Sequence, residues 1–91
     1  MSHALKTQRE IAQKRAKVAQ LKEFVSDNQM LAFQNVEAGL FSSAAEVFGE
    51  ITRSCEQLWK LEQEIQQLAF DLERIQEEQA ELSLSPAAVA A

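Results

Sequence analysis

The second half of the chain carries an apolar stripe at Leu40, Ala44, Val47, Ile51, Ser54, Leu58, Leu61, Ile65, Leu68, Leu72, Ile75, Gln79 and Leu82. The spacings alternate between four and three throughout, and only Ser54 and Gln79 are polar. A repeat of 3.5 residues held this long keeps one seam turned toward a partner as two helices supercoil. The pattern predicts a helix over about 43–83, roughly 60 Å long at 1.5 Å per residue. Ser43 with Glu46 three residues on fits a capping box at its start. Pro86 and the Ala-rich stretch to Ala91 follow, read as a disordered tail over 86–91.

The first half is also helical, over about 4–38, but less regular. Ile11, Val18, Leu21, Val25 and Ala32 share a seam whose intervening positions are Lys14, Asn28 and Asn35. Ser26 and Gln29 could form a second cap that breaks this arm near 26–28. The alternative is a helix that runs straight through, since no residue there is a strong breaker. Gly39 is placed to end the arm in a left-handed C-cap, with apolar Leu40 and Phe41 after it. A connection as short as 39–42 favours antiparallel neighbours. The fold class expected is all-α: an antiparallel helical hairpin over 1–85, a single domain that completes a helical bundle by oligomerisation.

A second stripe leads to that last expectation. Phe41, Ala45, Phe48, Cys55 and Trp59 fall beside the main seam of the long helix, with Thr52 as the one polar layer. Phe24, Met30, Leu31, Phe33 and Val36 add apolar side chains around the opposing arm. One seam of a two-helix hairpin cannot cover both stripes. The residues assigned to the hairpin seam are Ile11, Val18, Leu21, Val25, Val47, Ile51, Leu58, Leu61, Ile65, Leu68, Leu72 and Ile75. Those left for a partner are Phe24, Leu31, Phe33, Phe41, Phe48, Cys55 and Trp59. Cys55 is read as a core or interface thiol, and Trp59 either as a core filler or as an anchor for a partner helix.

Composition narrows the chemistry. At 91 residues, with 46% apolar and 25% charged residues, 2 Gly, 1 Pro and no Tyr, the chain has the make-up of long helices. Its one His and one Cys cannot supply a metal cluster, a disulfide or a nucleophile with its base. Glu73, Glu77 and Glu78 lack the His that would pair with them in a metal-binding bundle, and read as a solvated face. No glycine-rich phosphate loop is present. The chain is therefore expected not to be an enzyme, and to use no cofactor, metal or small-molecule substrate.

Formal charge is −5, but six Lys/Arg and one Glu fall in residues 1–22, against three Lys/Arg and thirteen acids beyond. In a hairpin the basic Lys6, Arg9, Lys14, Arg15, Lys17 and Lys22 would lie beside Glu62, Glu64, Asp71, Glu73, Glu77 and Glu78. The charge split then has an internal use, setting orientation and register. The acidic sum disfavours nucleic acid as a partner, although the basic arm could follow phosphates. No apolar run approaches the roughly 20 residues that span a bilayer, and Met1 to Lys6 lacks the apolar core of a signal peptide. A soluble, intracellular and cytoplasmic protein is expected, with no membrane partner.

The stretch Ile11 to Leu21 resembles the start of a small helical subunit of the fungal DASH kinetochore ring, and Trp59 matches a Trp of its second helix. The Phe-Ser-Ser at 41–43 and the Phe-rich middle depart from that pattern. Helical hairpin chaperones of bacterial secretion systems are similar in size and shape, without a shared motif. The function expected from the residues is a coiled-coil interaction protein, a subunit of a homo- or hetero-oligomeric helical assembly. Two alternatives stand beside it. One is a small chaperone or regulatory antagonist that sheathes an amphipathic helix of another protein; the other is a nucleic-acid-associated factor that uses the basic arm.

Overall fold

The computed structural model describes the backbone of residues 3–90 and the side chains of residues 3–82. It is an antiparallel pair of helices, α1 (His3–Glu37) and α2 (Phe41–Ala90). The pair is a rod of 78 × 16 × 16 Å with a radius of gyration of 21.6 Å. A compact chain of this length would have about 12 Å.

α1 is unbroken through 26–28, so the straight alternative holds and the second cap does not form. Asn28 instead donates from Nδ2 to the carbonyl of Phe24 at 2.8 Å, one turn back along its own helix. Its amide is satisfied locally and the helix continues.

The turn is built as Gly39 suggests. With φ at 77°, Gly39 adopts the left-handed conformation, and its N–H donates to Val36 O at 3.0 Å. The Leu40 N–H donates to Asn35 O at 2.8 Å. These two bonds make a Schellman motif, which satisfies carbonyls left open at the end of α1. Leu40 then turns its own carbonyl to Ala44 N–H at 2.9 Å and so begins α2. One residue closes one helix and opens the next. The predicted capping box at Ser43 is therefore displaced, because α2 starts at Phe41 and Ser43 already lies inside its first turn.

The other end of α2 also differs. The helical backbone runs to Ala90, past position 83. Residue 91 and the side chains of 83–90 lie outside the described residues.

The two seams meet in register. Residues 4, 7, 11, 14, 18, 21, 25, 28, 32 and 35 of α1 are buried or half-buried, as are 44, 47, 51, 54, 58, 61, 65, 68, 72 and 75 of α2. The turn at Gly39 and a Lys14–Glu64 ion pair of 2.8 Å set the facing positions. Ala32 faces Val47, Val25 faces Ser54, Lys14 faces Ile65 and Ala4 faces Ile75. Each polar seam residue meets an apolar one, so no layer is polar on both sides. The stripe's ends are not covered: Leu40, Gln79 and Leu82 are exposed. Leu40 sits in the turn, and the other two lie past the last α1 position that could oppose them.

The core itself is thin. Ile11, Ala32, Ala44 and Ser54 are the buried residues, and among the described residues no large side chain is fully enclosed. Two helices can shield a seam from water on two sides only. No helix among the described residues is long and apolar enough to cross a membrane.

Candidate protein-interaction face

Helical geometry divides the remaining apolar residues between two flanks of the rod. Phe41, Phe48 and Cys55 each follow a seam residue by one position, and Ala45, Thr52 and Trp59 lie between them on the outer side. At this spacing they form a row along one flank of α2. Val36 and Phe33 occupy the corresponding positions of α1. In an antiparallel pair these corresponding positions share a side. The open groove lined by Gln8, Arg15, Ala69 and Gln76, further along the rod, shows that they do here. The aromatic row and Phe33 thus make one face at the turn end.

Phe24 and Leu31 each precede a seam residue, which puts them on the opposite flank. There Lys17, Gln57 and Lys60 line a second groove with Leu21 and Leu61. Of the seven residues assigned to a partner, five are brought together and two are not. Sequence reasoning pooled them because both groups are apolar and close to the turn. The frame of each helix separates them only once both seams are fixed.

All seven are exposed. Phe33, Phe41 and Trp59 are 64%, 68% and 61% exposed, values unusual for aromatic side chains of this size. Cys55 is a free, exposed thiol, which removes the core reading and leaves it on the surface of the aromatic row. The twelve residues assigned to the seam are all buried or half-buried. Val36, left out of the partner set, is exposed beside Phe33. Its heptad position, equivalent to that of Phe41 in α2, is the signal that would have found it.

Charge changes along the same face. Past Trp59 the row continues on α2 with Glu62, Gln66, Ala69, Glu73 and Gln76, and the matching positions of α1 hold Ala19, Arg15, Ala12 and Gln8. The face is apolar at the turn end and mixed beyond it, with acids on α2 and Arg15 on α1. Across the seam, Lys14 is the basic residue that meets Glu64. Asp71, one of the acids expected opposite the basic arm, lies 4.0 Å from Arg74 and accepts from Gln67 within α2.

The described residues contain no group of three or more His, Cys, Asp or Glu placed to hold a metal ion. His3 is exposed. Phe70 and Met30 are exposed on neither flank of this face but on the outer backs of their helices. No family model matches the chain, and neither a curated protein nor a solved structure matches it.

Proposed function

We propose that this chain is a non-enzymatic helix-to-helix interaction protein, a subunit of a homo- or hetero-oligomeric helical assembly, with the aromatic turn-end flank as its contact surface. One observation carries the reading. The hairpin leaves Phe33, Phe41, Phe48 and Trp59 in water on one face while, among the described residues, it encloses no large side chain fully. Each such residue contributes about 1.5–3 kcal/mol when buried, before the costs of association. Contiguous apolar faces of this kind mark contact sites in folded proteins. Trp59, on the outer side of the row, has the position and chemistry of an interface anchor.

The same exposed face supports the second reading, a chaperone or antagonist that sheathes an amphipathic helix of another protein. The two differ in what the isolated chain does. Nucleic acid draws less support, because Lys14 of the basic arm is engaged by Glu64 within the hairpin.

Sedimentation equilibrium over a wide concentration range, with helicity measured on the same samples, tests the reading. A defined, highly helical oligomer supports the assembly subunit. A partly helical monomer at every concentration supports a hairpin completed by another protein. A fully helical, cooperatively folded monomer at every concentration would falsify both, since its exposed row would then need no partner.

A further inference from the structure

We propose that the occupant of the aromatic flank is a second copy of this chain, packed face to face with its turn at the same end, so that α1 of each copy lies on α2 of the other. The inference rests on the reading that this flank binds helices, and it names the partner. Two independent matches carry it, one of size and one of charge.

The Lys14–Glu64 pair and the turn at Gly39 determine which residues of the two arms stand level along the rod. On the aromatic flank, Phe33 stands within one residue of the level of Ala45, and Trp59 within one of Ala19. A twofold rotation about the long axis keeps every residue at its height while exchanging the arms. It therefore sets Phe33 over Ala45 of the second copy and Trp59 over Ala19 of the second copy. Each large ring meets a methyl group, the alternation of large and small that lets facing helices interdigitate.

Charge follows the same rotation. Arg15 stands within two residues of the level of Glu62 on this flank, an offset of about 3 Å that its side chain spans, so two Arg15–Glu62 contacts form between the copies. Self-complementarity of this kind is what a twofold interface requires. Packing with the turns at opposite ends would stack like arm on like arm and lose both matches. In the proposed arrangement Cys55, on the seam side of the row, lies close to the twofold axis. Its thiol is free and exposed, and it is the chain's single cysteine.

The test uses the full chain, the charge variants Arg15→Glu and Glu62→Arg, and their equimolar mixture. Sedimentation equilibrium is expected to give a dimer for the unmodified chain. Each variant alone sets like charges at both contacts and should dimerise about tenfold more weakly. The mixed dimer restores both contacts, one as Arg15–Glu62 and the other with its signs reversed, and its affinity should return to within about twofold of the original. Bis-maleimidoethane should couple Cys55 to Cys55 in the unmodified dimer.

A dimer that the mixture fails to restore, or that does not cross-link, overturns the proposed packing. A partly helical monomer at every concentration overturns the second copy as occupant and leaves the helix-binding reading standing. A cooperatively folded monomer overturns both.

Discussion

Lys14 Nζ lies 2.8 Å from Glu64 Oε2, joining the two arms more than halfway from the turn to the far end of α1. The lysine stem crosses the seam layer held by Ile65 while its ammonium reaches out to the neighbouring acid. Side-chain exposures of 31% and 54% leave the pair largely screened by solvent. Its role is alignment: an apolar residue at 14 would bury more surface but would pair equally well with Leu61, Ile65 or Leu68.

Glu64→Gln should lower stability by less than about 0.5 kcal/mol, with the loss vanishing at high salt. Lys14→Leu should raise it by about 1 kcal/mol through added burial against Ile65. Urea unfolding at two salt concentrations measures both. A large loss in Lys14→Leu would show that the charge supplies stability as well as register.

Gly39 has no atom within 4 Å of where a Cβ would stand, so a side chain there meets strain only from the backbone. Gly39→Ala should cost about 1–2 kcal/mol, the penalty of the left-handed conformation. Gly39→Asn should cost less, because asparagine tolerates that region. Equal losses in the two variants, measured by urea unfolding, would contradict the Schellman geometry as the cause.

Ala32 is 0% exposed and faces Val47, one layer from Ala44. Near the turn the helices are held close by small residues. Ala32→Leu should force the arms apart and destabilise the hairpin by about 1–3 kcal/mol. The same change at Ala38, exposed just past the end of α1, should be tolerated, and thermal denaturation distinguishes the two.

Trp59→Ala removes a side chain that is 61% exposed, and should change the unfolding free energy of the isolated hairpin by under about 0.5 kcal/mol. Association through the turn-end face should weaken at least tenfold if Trp59 anchors it. Unchanged association together with a lower melting temperature would sink the anchor role.

The parts of this fold that periodicity governs were legible before any coordinates. The seam from Ala44 to Ile75, the antiparallel turn at Gly39 and the exclusion of Phe41, Phe48 and Trp59 from the hairpin core all follow from spacing and from one glycine. The start of α2 was not, because the backbone of Leu40 supplies the first helical acceptor and leaves Ser43 nothing to cap. Asn28 was ambiguous for a related reason: asparagine can end a helix or bond back to its own, and here the apolar layer of Ile51 opposite favours continuity. The division of Phe24 and Leu31 from the aromatic row needs the phase of both helices at once. Hydrophobicity alone does not carry that phase.

The three-residue junction at 38–40 also bears on how the hairpin closes. With Leu40 shared by both helices, the layer of Asn35 and Ala44 forms at almost no loop cost, and each layer beyond it is brought within reach by the one before. Assembly then proceeds as a zipper from the turn, and opening proceeds in reverse. Amide exchange should accordingly be slowest around Ala32 and Ala44 and quicken layer by layer toward Ala4 and Ile75. The aromatic residues Phe33, Phe41 and Phe48 lie beside the segment expected to exchange slowest.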